Sequence, residues 1–133
     1  MKPNTDSSKD PRRKIGMSGE EFVSNWLISN GLTLVERNWR TRRGEIDIIV
    51  LDSQVIVFVE VKTWPHGQFF DLELVIDFHK RKRMVETAKC FLHTHRQYNG
   101  MYVRFDVILL TKDPSRVSVP SIHHFKDAFS ECE

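Results

Sequence analysis

The fold is decided by residues 44–62, which read GEIDIIVLDSQVIVFVEVK. Two runs rich in Ile, Val and Phe flank a short polar break at residues 52–54, and this pattern predicts a β-hairpin. If Ser53 and Gln54 form a two-residue loop, Asp52 faces Val55 and the register of the whole hairpin follows. One face of the hairpin then carries only β-branched residues, in the pairs Ile46–Val61, Ile48–Val59 and Val50–Val57.

The same register places two carboxylates opposite each other, Asp47 on the first strand and Glu60 on the second. Like charges in directly opposed positions destabilise a sheet, whereas a divalent cation between them is held by both. Lys62 lies two residues beyond Glu60 and therefore points to the same face. The pattern predicts a metal site at this end of the hairpin. The alternative is an ordinary sheet edge, in which Glu45 pairs with Lys62 and both acids point into water.

An amphipathic helix is predicted before the hairpin, between Ser18 and Gly31. Ser18 followed three residues later by Glu21 is a capping box, and glycine commonly ends a helix. The apolar stripe of this helix consists of Phe22, Val23, Trp26 and Leu27. Glu20 extends the inward stripe at the first turn, although Glu21 already supplies the cap. Glu20 therefore either favours the helix dipole or is a third acid directed at the charged end of the hairpin.

The remaining segments complete an α/β fold. The second hairpin strand is apolar on both faces, which indicates a central strand in a sheet that is covered on both sides. The other predicted elements are a strand at Leu32–Arg40, a long helix at Leu74–His95, a strand at Met101–Thr111 and a short helix or turn at His123–Phe129. The adjacent residues His123 and His124 have poor geometry for joint metal binding, so we expect them to be surface or packing residues.

Two groups of cations accompany the predicted metal site. Arg40, Arg42 and Arg43 form a basic loop just before the hairpin, and a second group opens the long helix at residues 80–83. Lys80 lies one turn before the buried stripe Met84, Val85, Ala88, Phe91 and Leu92. It therefore either has a polar partner at the inward end of that stripe or extends outward to water. Both groups suit a phosphate-rich ligand, although a solvated surface has the same composition.

Length and composition favour one cytoplasmic domain. A chain of 133 residues supports a single core, and we expect a disordered basic tail at residues 1–15 followed by one domain at 16–133. The net charge of +2 indicates no partner by itself, so only the placement of the charges is informative. Cys90 and Cys132 match no metal spacing and suit free thiols in a reducing cytoplasm. No apolar run reaches the roughly 18 residues of a membrane span, and the N-terminus lacks a signal-peptide core, so we expect no membrane partner.

The order helix, strand, hairpin, helix, strand, with Asp47 and the motif Glu60-x-Lys62 on the hairpin, resembles the PD-(D/E)XK nuclease superfamily. Further segments are similar to the YraN-type family of small bacterial proteins, which are described as predicted endonucleases akin to archaeal Holliday-junction resolvases. These segments are Gly16-x-x-Gly19-Glu20, Arg37-Asn38-Trp39-Arg40, Gly44-Glu45-Ile46-Asp47, residues 57–62, Lys80, Arg104-Phe105-Asp106-Val107 and Ala128-Phe129. The resemblance implies a restriction-endonuclease-like αβββαβ core with a central mixed sheet flanked by helices.

The resemblance also implies a role for each polar residue of this region. Lys62 is implied to orient or activate the attacking water and to offset charge on the scissile phosphate. The implied catalytic residues are Glu20, Asp47, Glu60 and Lys62. The implied ligands of Mg²⁺ (or Mn²⁺) are Asp47, Glu60, the backbone carbonyl of Val61, and Glu20. The expected nucleic-acid contacts combine the basic loop with the long helix: Arg40, Arg42, Arg43, Lys80 and Arg83.

The functional hypothesis is a Mg²⁺-dependent endonuclease that hydrolyses phosphodiester bonds in DNA at branched or other non-B structures. The alternative is a non-catalytic nucleic-acid-binding module that retains the nuclease fold. The cations serve both hypotheses equally, but opposed acids repel phosphate in the absence of metal and therefore favour the enzyme. DNA or RNA as the substrate, and a monomer or a homodimer, are left open by the sequence.

Overall fold

The computed structural model of the protein describes residues 18–63, 76–111 and 121–131. The helices in these ranges are α1 (Gly19–Ser29), α2 (Phe78–Thr94) and a short 3-10 helix at Arg96–Tyr98. The strands are β1 (Thr33–Thr41), β2 (Gly44–Asp52), β3 (Val55–Thr63), β4 (Tyr102–Leu110) and β5 (Ile122–Phe129). Within the same ranges, no helix combines the length and apolar character needed to cross a membrane. The tail predicted at residues 1–15 lies outside the described residues.

The five strands form one mixed sheet in the order β1-β2-β3-β4-β5. Neighbouring strands are antiparallel except for β3 and β4, which are parallel. Because parallel neighbours require a crossover connection, the α2 helix lies between β3 and β4 in the chain. This arrangement confirms the predicted α/β class with a central mixed sheet flanked by helices, and β5 extends the predicted αβββαβ order by one strand.

The two helices cover opposite faces of the sheet. Val23 and Leu27 of α1 pack against one buried cluster on the sheet, which contains Ile48 and Val59. The stripe of α2 packs against a second cluster, which contains Phe58 of the central strand. Both predicted helix stripes are thus confirmed. The central position of β3, buried on both faces, is also confirmed.

The predicted hairpin register is confirmed for five consecutive pairs, which run from Asp52–Val55 to Ile48–Val59. The prediction that Ile46 shares a face with Ile48 is wrong, because Ile46 belongs to the cluster beneath α2 and Ile48 to the cluster beneath α1. The regular alternation of side chains is interrupted between these two residues, at Asp47. On the neighbouring strand β1, Asn38 lies between the partners of Ile46 and Ile48 and has a φ of 54°. This local irregularity changes the face of every residue that precedes Asp47 on β2.

The C-terminal prediction is also wrong, since residues 122–129 form the edge strand β5 rather than a short helix or turn. The pairing of β5 with β4 shifts in register between Phe105 and Val107, and Asp127 has a φ of 53°. A bulge of this kind breaks the two-residue alternation by which a strand is recognised in sequence. The predicted start of the long helix at Leu74 lies outside the described residues, and the helix itself runs from Phe78 to Thr94.

Candidate active site

The sheet divides between β2 and β3 at the predicted metal site. The last pair of their register is Ile48–Val59, beyond which β2 stays paired with β1 and β3 stays paired with β4. At this point the backbone N–H of Val61 donates a hydrogen bond of 2.8 Å to the Asp47 carboxylate. The Asp47 carboxylate thereby replaces a main-chain carbonyl of β2 as the acceptor for β3. We call this opening, formed by Asp47, Glu60 and Val61 together with the adjoining side chains of Glu20, Lys62 and Lys80, the fork.

The fork modifies the predicted opposition of Asp47 and Glu60. These two residues lie one position beyond the last pair of the register, so they flank the opening of the strands instead of facing each other across a regular ladder. They remain close enough for the charge of Asp47 to raise the pKa of Glu60. The two acids are also buried, with 5% and 2% of their surfaces exposed respectively. The alternative in which both acids point into water is therefore excluded.

Among the described residues, one carboxylate oxygen of Glu60 forms ion pairs and the other has no hydrogen-bond partner. Its Oε2 atom lies 3.2 Å from Lys62 Nζ and 3.5 Å from Lys80 Nζ. Its Oε1 atom is buried and, within the part of the chain that the structure describes, accepts no hydrogen bond. A buried acceptor without a partner typically costs about 1–3 kcal/mol. A cation beside Oε1 would satisfy this oxygen.

The two acids resist ionisation when no cation is bound. Burial raises the pKa of Asp47 to about 6; the hydrogen bond from Val61 opposes this increase, and the nearby charge of Glu20 adds to it. Burial also raises the pKa of Glu60, and the charge of Asp47 raises it further, against the opposing effects of Lys80 and Lys62. Adjacent buried carboxyl groups with raised pKa values are typical of functional sites.

Glu20 reaches the fork from the first turn of α1. Its charge and a side-chain hydrogen bond both act on the pKa of Asp47, so the two carboxyl groups are neighbours. The start of α1 is fixed by Ser18, whose hydroxyl accepts a hydrogen bond of 3.1 Å from the N–H of Glu21. It is also packed tightly, since a Cβ on Gly19 would lie 3.2 Å from Leu110 Cδ1 at the end of β4. Of the two roles open for Glu20, the geometry favours the third acid.

One lysine of the fork comes from the sheet and the other comes from helix α2. Lys62 follows Glu60 on β3 and has 40% of its side chain exposed, whereas Lys80 on α2 has 27% exposed. The predicted polar partner of Lys80 is therefore Glu60. The alternative pairing of Glu45 with Lys62 is wrong, because Glu45 binds Arg40 at 2.9 Å.

The residues of the fork fit a hard divalent cation. In the described ranges no group of three or more His, Cys, Asp or Glu side chains is arranged to hold a metal. The fork instead offers the carboxylates of Asp47 and Glu60 beside the backbone of Val61, with Glu20 adjacent to Asp47. Two carboxylates, supplemented by backbone oxygen and water, suit Mg²⁺, which usually keeps several of its waters. The absence of thiolate and imidazole groups from this set excludes the usual structural zinc site.

The predicted nucleic-acid contacts separate into three places. Arg43 binds Glu86 on α2 at 2.8 Å and lies with Arg83 in a surface cleft of about 340 Å³. Lys80 lies in the fork, and Arg40 is held on the exposed edge of the sheet by Glu45. Arg42 is exposed in the turn between β1 and β2. The structure thus brings only Arg43 and Arg83 of this set together.

Sequence reasoning missed the role of a third buried carboxylate, Asp106 on β4, which is fully buried. Its partners are Arg104 Nε at 2.9 Å, His124 Nε2 at 2.7 Å and the backbone N–H of Asp127 at 3.0 Å. Arg104 also reaches Asp52 at the end of the hairpin, at 3.2 Å. Asp106 precedes the apolar run of β4 by one residue, and its face continues with Ile108 and Leu110. This two-residue spacing puts Asp106 on a buried face of β4. Because a buried acid needs a counter-charge, the spacing could have indicated a buried ion pair.

Comparison with known proteins identifies the family. The family model described as "Uncharacterised protein family UPF0102" matches residues 19–110 of the 133-residue chain. The chain belongs to the UPF0102 family. The matched segment includes every residue of the fork, from Glu20 to Lys80.

Full-length relatives support this UPF0102 assignment. A UPF0102 protein of Treponema denticola is 44% identical over 125 residues, which cover 89% of this chain and 96% of the relative. A UPF0102 protein of Treponema pallidum (strain Nichols) is 44% identical over 117 residues, covering 88% and 93% respectively. A more distant UPF0102 protein of Pseudomonas syringae pv. syringae is 32% identical over 121 residues, covering 91% and 97%. The similarity therefore extends over nearly the whole of each chain.

Proposed function

We propose that this UPF0102 protein is a metal-dependent endonuclease that hydrolyses phosphodiester bonds in DNA, at branched or other non-B structures. The observation that carries the proposal is the buried Oε1 atom of Glu60, which has no hydrogen-bond partner among the described residues and lies beside a second buried acid, Asp47, whose pKa is raised to about 6. Support also comes from the resemblance to PD-(D/E)XK nucleases and to the YraN-type proteins, which rests on Asp47, Glu60 and Lys62.

Asp47, Glu60 and the Val61 carbonyl would hold Mg²⁺ or Mn²⁺, with Glu20 supporting Asp47. The bound ion would polarise the phosphate and favour formation of hydroxide from water. Lys62 is the residue best placed to contact the reacting groups, since its ammonium is paired with Glu60 and is partly exposed. It would orient the attacking water and stabilise negative charge on the phosphate. Lys80, which is paired with the same oxygen of Glu60, would hold a phosphate oxygen beside it.

The buried acids favour catalysis over the non-catalytic nucleic-acid-binding alternative. Burying a carboxylate is costly, and a carboxylate beside a phosphate-binding surface repels the ligand. A module that only binds nucleic acid would gain from a neutral or basic residue at either position. Keeping Asp47 and Glu60 together is useful when a cation is to be bound between them and the substrate.

Cleavage should require Mg²⁺ or Mn²⁺ and should be poorly supported by Ca²⁺, whose longer bonds and looser coordination misplace the attacking water. The assay uses end-labelled flap, fork, four-way and single-stranded DNA substrates with each ion in turn. Full activity in excess chelator would contradict the metal mechanism. If the protein binds these substrates but cleaves none of them with either ion, the result would support the non-catalytic module.

Lys62→Ala is expected to abolish detectable cleavage while DNA affinity stays close to that of the parent, because one amine supplies few of the phosphate contacts. Lys89→Ala is the matched control, since Lys89 is exposed on α2 and pairs with Glu131 rather than with a residue of the fork. Cleavage is measured under single-turnover conditions, and affinity by fluorescence anisotropy in chelator. Equal losses of cleavage and affinity would assign Lys62 to binding.

A further inference from the structure

A basic cleft lies on the surface of the molecule between the β1–β2 turn and α2. It is lined by Arg43, His79, Lys82, Arg83 and Glu86 and has a volume of about 340 Å³. The turn approaches the helix closely, since a Cβ on Gly44 would lie 3.0 Å from Thr87 Oγ1 and 3.9 Å from Arg83 Cβ. Arg43 is thereby held over α2. The cleft is therefore formed by two elements that are packed together.

The charges of the cleft suit a phosphate group. Lys82 and Arg83 follow His79 by three and four residues and precede Glu86 by four and three, so the four side chains form one stripe along α2. Three permanent cations face one carboxylate, which leaves the cleft with a net positive charge. Arg and Lys are the side chains that recognise phosphate most often, Arg through its planar fork and Lys as a point charge.

The Glu86 carboxylate occupies the position on Arg43 that a phosphate oxygen would take. The two groups lie 2.8 Å apart, with 41% of Glu86 and 63% of Arg43 exposed. An exposed ion pair of this kind contributes little to stability. A phosphate can therefore replace the carboxylate at Arg43 at small cost, because the neighbouring Lys82 and Arg83 add to its attraction.

We propose that this cleft is a phosphate-binding subsite, in which the sugar-phosphate backbone of a polynucleotide displaces Glu86 from Arg43. The proposal rests on the proposed function, because it assigns a second contact to the same substrate. Lys80 in the fork and Arg83 in the cleft are three residues apart on α2, so their side chains are neighbours on the helix surface. One strand lying across the start of α2 would thus meet the fork and the cleft within a few nucleotides.

The subsite is tested by binding alone, in chelator, so that cleavage is not required. The double variant Lys82→Ala, Arg83→Ala should bind labelled DNA several-fold more weakly. Its slope of log affinity against log salt should fall by about 0.9 for each lost phosphate contact on duplex DNA. Lys89→Ala, on the same helix, should change neither the affinity nor the slope. These residues are exposed, and thermal melts establish that each variant is folded.

Glu86→Gln gives the opposite and more specific result. Removing the competing charge should raise DNA affinity several-fold and should leave the thermal stability unchanged. A loss of affinity in Glu86→Gln would mean that Arg43 depends on its carboxylate partner, and it would overturn the displacement. Unchanged affinity and slope in the double variant would overturn the subsite, whatever the cleavage assay gives.

Two further results separate the subsite from the proposed function. If the parent cuts DNA but the cleft variants bind normally, the subsite is wrong and the nuclease stands. If the cleft variants lose affinity although the parent cuts nothing, the subsite stands in a binding protein. Calorimetry with inorganic phosphate provides the last arm. Phosphate binding that is lost in the double variant, without any loss of DNA affinity, would overturn the assignment to a polynucleotide.

Discussion

Asp106→Asn is expected to destabilise the protein by about 3–5 kcal/mol at neutral pH, the usual cost of removing one partner from a buried ion pair. The substitution keeps the shape of the side chain but removes its charge. It leaves the guanidinium of Arg104, whose side chain is only 18% exposed, without its nearest counter-charge. Chemical denaturation of parent and variant at pH 7 measures the difference. Asp127→Asn is the matched control, because Asp127 contributes only its backbone N–H to Asp106.

The pH dependence of this effect follows from the pKa of Asp106. Burial raises that pKa, but the hydrogen bonds from His124, Arg104 and the Asp127 N–H outweigh burial and lower it overall. The folded protein therefore holds this proton less tightly than the unfolded chain does. The resulting stabilisation is fully present above the ordinary pKa of aspartate, near pH 4, and is lost as the pH falls through the folded value. The difference in unfolding free energy between the parent and Asp106→Asn should therefore become smaller at acidic pH. An unchanged difference would contradict this account.

The hairpin could be predicted from the sequence because its information is local. A two-residue loop sets the register, and Ser53 at its first position has a φ of 58°, as a tight turn requires. Five pairs followed correctly from this single assumption. The opening of the strands at Asp47 could not be predicted in the same way, because it depends on strands outside the hairpin: beyond the last hairpin pair, β2 continues with β1 and β3 continues with β4.

The features that were missed depend on contacts between distant segments. Asp106 joins Arg104 to His124, 18 residues later in the chain, and Arg104 joins the hairpin at Asp52, 52 residues earlier. His124 was not distinguished from His123, although adjacent residues of a strand point to opposite faces once β5 is known to be a strand. Glu20 is an intermediate case. Its spacing allowed two roles, and the contact of its carboxyl group with Asp47 decides between them.

Asp47→Asn is expected to behave in the opposite way to Asp106→Asn, and it tests the fork without any substrate. The pKa of Asp47 is raised from 3.8 to about 6, so the folded protein binds this proton more tightly than the unfolded chain. The stabilisation that Asp47 contributes by binding this proton is therefore fully present below about pH 4, and it is lost as the pH rises through about 6. Above pH 6 the ionised group costs up to about 3 kcal/mol, since each pH unit of difference corresponds to about 1.4 kcal/mol.

In chelator at pH 7, Asp47→Asn should thus be more stable than the parent, by about 1–3 kcal/mol, because the amide oxygen still accepts the Val61 N–H while the charge beside Glu60 is gone. Mg²⁺ should reverse this difference and make the parent more stable than Asp47→Asn. It stabilises the parent through preferential binding to the folded state, by about 2.7 kcal/mol at roughly 100 times its Kd, and the asparagine variant should gain much less. Asp127→Asn should show neither the stabilisation in chelator nor the loss of response to Mg²⁺.

Denaturation of all three proteins at pH 4 and pH 7, with Mg²⁺ or chelator, gives the comparison. Clear destabilisation of metal-free Asp47→Asn would show that the Asp47 charge is needed for folding, and the fork would then be a structural joint rather than a place for a cation.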